Sequence, residues 1–169
     1  MNELWKRINA MFQDIKNYIQ RNNVPTSAGQ KLYQTAKSHL GQDVTPEDHV
    51  ADEYGCAEAL NKIHELAFGE PIGGGASTYW LRFALKNHRN FALVSKPLAG
   101  DIIISYTGSP GSGKNGIRNG HVGICGPNSV IMSNSSKTGK WEENYTLYTW
   151  RQRYQVLGNY PVEVFRKII

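Results

Sequence analysis

The sequence predicts an α+β fold in which helices come first and a mostly antiparallel sheet follows. Three observations carry this. The first half of the chain repeats apolar residues at helical spacing. The character changes at Pro97. Beyond it, short runs rich in Ile and Val alternate with glycine-rich turns, the mark of short strands. With 169 residues the chain is long enough for one core of ordinary size.

The elements follow in order. Leu4, Trp5, Ile8, Met11, Phe12, Ile15, Tyr18 and Ile19 form a helical stripe over residues 3–22, broken by Asn22-Asn23-Val24-Pro25. Ser27 with Gln30 three residues on has the form of a capping box. Leu32, Tyr33, Ala36 and Leu40 make the buried face of that second helix, with Gly41 as its stop. Residues 1–45 read either as a helical extension or as an integral part of the domain that occupies 46–169. A third helix opens at Cys56 and ends near Gly69, Pro71 to Ala76 is a flexible turn, and Thr78 to Asn87 is a fourth helix. Strands are expected over 102–106, 121–125, 130–134 and 161–166, with a short helical turn at 150–154.

Composition limits the function classes. Net charge is +5, which favours anionic partners such as cell-wall polymers. No run of five or more Lys or Arg exists, so no nucleic-acid arm is expected. The two cysteines, Cys56 and Cys125, make no disulfide framework, and no Cys or His spacing suggests zinc. No metal or organic cofactor is expected. No stretch approaches the ~20 apolar residues of a membrane span, and the charged N-terminus lacks a signal-peptide core. Synthesis in the cytoplasm without a signal peptide is the expectation.

The chemistry centres on Cys56. A helix start lowers a thiol pKa, and the unpaired N–H groups there suit a developing oxyanion. His121 opens an apolar strand, with His121, Gly123 and Cys125 on one face and Val122 and Ile124 on the other. Gly123 leaves room beside the imidazole. On the next strand Asn134 is positioned to orient the ring; Ser133 competes, because one residue of register swaps the faces. A thiol, an imidazole and a polar orienting group in this order suggest a Cys-His-polar hydrolase with a thioester intermediate. His39, His49, His64 and His88 lie among polar neighbours and read as surface residues. A Cys56–Cys125 bridge stays open and would consume the nucleophile.

Ala99-Gly100-Asp101-Ile102-Ile103-Ile104 and Gly120-His121-Val122-Gly123-Ile124, after a helix-starting Cys56, resemble the papain-like NlpC/P60 and CHAP peptidoglycan hydrolases. The likeness covers roughly residues 50–166. It implies a papain-like fold, Cys56 as nucleophile, His121 as base, a third residue at Ser133 or Asn134, and cleavage of peptidoglycan peptide stems as an endopeptidase or amidase. The surroundings of the nucleophile, Tyr54-Gly55-Cys56-Ala57, depart from the Asp-Cys-Ser-Gly of NlpC/P60 members. Tyr54 is a candidate oxyanion donor. Such an enzyme would reach the wall after cell release, virion delivery or injection. The alternative is a non-catalytic wall-binding or virion structural module of the same fold.

Gly108-Ser-Pro-Gly-Ser-Gly113-Lys114-Asn115 nearly matches a phosphate-binding loop. Asn115 lacks the hydroxyl that holds Mg²⁺, and a strand rather than a helix follows. The segment reads instead as a loop beside the cleft, with Lys114 and Arg118 available to substrate carboxylates.

Overall fold

The structure, a computed structural model, describes residues 3–45, 51, 54–107 and 119–169, and the side chains of these except 20–22. Lys114, Arg118 and His49 therefore lie outside the described residues. The order is α1 (Glu3–Asn22), α2 (Ser27–Ser38), α3 (Cys56–Phe68), α4 (Thr78–Asn87), β1 (Phe91–Leu93), β2 (Ile102–Ser105), β3 (His121–Cys125), β4 (Val130–Asn134), β5 (Trp141–Thr146), α5 (Leu147–Trp150) and β6 (Val162–Lys167). Among the described residues the strands form one antiparallel sheet in the order β1-β6-β2-β3-β4-β5. The fold is α+β, helices first, as the periodicities indicated.

Alternation along the central strands divides the core in two. Ile102, Ile104, Val122, Ile124, Met132 and Phe165 face α2, α3 and α4. Ile103, Cys125, Ile131 and Val164 face the opposite way, against Trp150, Tyr154 and Tyr160. The N-terminal segment shares in this core. Leu32 and Ala36 of α2 are fully buried beside Leu60 and Ile63 of α3. Arg166 on β6 donates to the Val24 carbonyl and the Asn23 side chain, and the Thr26 hydroxyl donates to the Lys167 carbonyl.

Several local expectations are corrected. Thr26, not Ser27, caps α2: its hydroxyl accepts from Gly29 N–H at 2.9 Å. The helix ends at Ser38, short of Gly41. The turn after α3 is organised by Asn61, whose side-chain oxygen accepts from Ile72 and Gly73 N–H and whose amide donates to the Gly73 carbonyl. The helical turn near 150 is longer than expected: α5 runs into a π-helical segment, Arg151–Leu157. β6, the last strand of the sequence, is an inner strand between β1 and β2. The edge strands β1 and β5 carry no clear sequence signal, because three residues are too few to alternate and Trp-Glu-Glu-Asn-Tyr-Thr lacks an apolar face.

His64 is a further correction. It is 1% exposed, not a surface residue. Nδ1 lies 2.7 Å from the Glu70 carbonyl oxygen, and the ring packs against Phe68. The intermittent apolar positions of α3 conceal that this face is buried as well.

Candidate active site

Cys56 is the first residue of α3, after Gly55, which offers no side chain to cap the helix. Gly55 therefore gives the first N–H groups of α3 no side-chain acceptor. The backbone N–H groups of Val122 on β3, of Ala57 and of Cys56 itself favour the charged form of the thiol, Val122 most strongly. Sheet geometry supplies the Val122 donor. Cys125 N–H is bonded to the Asp101 carbonyl on the β2 side. Alternation then turns Val122 N–H toward β4. The β3–β4 pairing runs through Ile124–Met132 and Cys125–Ile131, so the ladder stops before Val122. Burial nonetheless dominates. It pushes the Cys56 thiol up to about 11, against the pull of the three amides.

His121 enters from the other face. Its ring stacks on Trp150 at 5.2 Å and on Tyr154 at 5.5 Å, with Tyr145 edge-on at 5.7 Å. Burial, with the nearby Arg153 charge, lowers its pKa to about 3, so the ring is neutral at physiological pH. Nε2 lies 2.9 Å from Ser133 Oγ. Ser133 Oγ lies 2.6 Å from Asn144 Oδ1, and Asn144 Nδ2 donates to the Ser133 carbonyl at 3.3 Å. That last bond sets the amide orientation, so Oδ1 faces the hydroxyl and can only accept. The Ser133 proton goes to Asn144, and Ser133 must accept from the imidazole. The tautomer is Nε2–H, which leaves Nδ1 with the lone pair.

The trio expected from the sequence is thus divided. Ser133, not Asn134, meets His121. Asn134 is buried and faces the other way, paired with Trp141 of the α3-side core. Cys56 also belongs to that core. No hydrogen bond joins Cys56 to the His121 ring; the two approach the same strand end from opposite faces. Gly123 makes room for β4 rather than for the imidazole: a Cβ there would sit 2.6 Å from the Met132 carbonyl oxygen. Tyr54 lies in the turn before α3 with its side chain 58% exposed, and its backbone N–H is bonded to the Ala51 carbonyl. Cys125 is free and buried in the opposite core from Cys56, so the two thiols are not bridged.

Four residues of this site carried little sequence signal. Asn144 is placed by a β-bulge: Ile131 pairs with Tyr145 and Met132 with Glu143, leaving Asn144 unmatched. The bulge lets Asn144 reach Ser133 and Tyr145 reach His121 on one face, though they are neighbours in sequence. Trp150 and Tyr154 come from the helical turn after β5, and Trp150 Nε1 donates to Ser105 Oγ at 2.8 Å, directly beside His121 in the β2–β3 register. Aromatics four residues apart on a helix were the only available hint.

Asp101 belongs to the scaffold. It holds Arg166 through two bonds of 2.8 and 2.6 Å with both side chains 1% exposed, and it accepts from Leu98 N–H. Among the described residues no group of three or more His, Cys, Asp or Glu could hold a metal ion, and no helix is long and apolar enough to cross a membrane.

No protein-family model matches this chain, and no curated protein matches its sequence. The site therefore stands on its own geometry.

Proposed function

We propose that this protein is a cysteine hydrolase that cuts amide bonds in the peptide stems of bacterial peptidoglycan. One observation carries the reaction class. The Cys56 thiol lies at a helix start under the influence of the backbone N–H groups of Val122 and Ala57, and the residue before Val122 carries an imidazole held as the Nε2–H tautomer. The substrate class rests on the resemblance of the Gly-Asp-Ile and Gly-His-Val-Gly-Ile segments, and the positive charge suits an anionic wall.

In this mechanism the thiol proton passes to His121 Nδ1 as Sγ bonds to the substrate carbonyl carbon. The carbonyl electron pair moves onto oxygen, where N–H groups at the start of α3 turn from sulfur to receive it. Collapse breaks the C–N bond, the amine leaves with the proton from Nδ1, and water then hydrolyses the thioester with the same base. Both groups are neutral at rest, so thiolate and imidazolium do not form in advance. Substrate must bring Sγ and Nδ1 together, which requires a side-chain rearrangement at the start of β3.

A second reading, a non-catalytic wall-binding module, is favoured by the placement of Cys56 and His121 on opposite faces. Digestion of purified peptidoglycan separates the two readings. Wild type, Cys56→Ala and Cys56→Ser are compared, with products identified by mass spectrometry. Peptide release by wild type alone supports the hydrolase and names the bond. Equal release by all three, or wall binding with no release, transfers the assignment to the binding module.

A further inference from the structure

We infer that α1 is a self-association seam through which two copies of this chain pair their N-terminal helices in antiparallel fashion. The helix reads as heptads, with Ile8 and Ile15 at one seam position and Leu4, Met11 and Tyr18 at the other. Among the described residues, the body of the protein packs on its C-terminal end and one flank. Ile19 is buried, Ile15 packs against the core beneath β1, and Phe12 lies under Arg89. Leu4, Met11 and Tyr18, spaced seven residues apart, remain 61%, 53% and 60% exposed.

Charge selects the occupant. The row beside the seam carries Arg7 and then Asp14 one heptad later. In an antiparallel pair, Ile8 of one copy meets Met11 of the other and Leu4 meets the part of Ile15 that its own core leaves uncovered. Arg7 then lies beside Asp14 of the second copy, and the two-fold axis repeats the contact. A parallel pair would set Arg7 against the apolar Phe12 row. A lipid surface fits less well: Trp5 widens the apolar strip at one end, but the Arg7–Asp14 row beside it alternates in sign. Five side chains per copy fall well short of the ~20–30 residues a side of a standard interface, so the association is weak and reversible.

Sedimentation equilibrium of the full chain tests this, from low micromolar to several hundred micromolar. The expected result is a mass that climbs from monomer toward dimer. Met11→Glu, at an exposed position, weakens association by about tenfold or more, since it places a carboxylate in the seam. Arg7→Asp weakens it too, and Arg7→Asp combined with Asp14→Arg restores it. A monomer at every concentration overturns the inference, as does undiminished association of Met11→Glu or failure of the charge swap to restore pairing. A monomer that instead sediments with phosphatidylglycerol vesicles also overturns it and assigns the stripe to lipid.

Discussion

The Ser133 hydroxyl donates to Asn144 Oδ1 at 2.6 Å, and this bond decides which nitrogen of His121 is basic. A hydroxyl has one proton. Given to Asn144, it cannot be offered to the ring, so the ring must donate from Nε2.

Asn144→Ala should release that proton. Ser133 could then donate to Nε2, and the imidazole would shift toward the Nδ1–H tautomer. Nitrogen NMR of His121 should record the change of tautomer. In the proposed hydrolysis of peptidoglycan, kcat should fall by roughly 10- to 100-fold with little change in KM, because only the proton transfer is affected. An unchanged tautomer would remove Asn144 from this role.

The Cys56 thiol, held up to about 11 by burial, should be slow toward iodoacetamide at neutral pH. Its alkylation rate should rise steadily through the alkaline range with no inflection near 7. A plateau reached below pH 8 would show a preformed thiolate and contradict the neutral resting pair.

Acid stability should depend on two buried histidines. The folded-state values, about 4 for His64 and about 3 for His121, lie below the ordinary 6.5. The folded protein therefore binds fewer protons than the unfolded chain in this range. The stability contributed by the two neutral rings is complete above pH 6.5 and is lost as pH falls toward 4 and then 3. The Tm of His64→Gln should vary less with pH between 6.5 and 4 than that of wild type. Identical slopes would refute the assignment.

Asp101 should prove structural. Removing one member of a buried bidentate pair leaves an uncompensated charge, so Asp101→Ala should destabilise by about 3–5 kcal/mol in urea unfolding. Replacing both partners, Asp101→Leu with Arg166→Met, should recover much of that loss, though the carbonyls of Val24 and Lys96 would lose their donor. Any folded variant should retain the kcat of wild type. A folded Asp101→Ala protein with normal stability and no activity would place the carboxylate in the chemistry instead.

The sequence by itself determined the fold class, the placement of Cys56 at a helix start and the alternation of faces within β3 and within β4. Each follows from a local rule: apolar spacing of 3.6 for the helices, alternation of two along β3 and β4, and the Tyr54-Gly55 turn before α3. The choice between Ser133 and Asn134 depended on pairing across strands, which alternation within one strand does not fix. The role of Asn144 depended on a bulge opposite Ile131 and Met132, and polar strands such as β5 give no sign of a bulge. His64 and Trp150 became buried through packing against distant residues, Glu70 and Phe91 in one case and Ser105 and His121 in the other. Tertiary structure alone also set Cys56 and His121 on opposite faces of one strand end, because a helix packs against one side of a sheet while alternate side chains leave by the other.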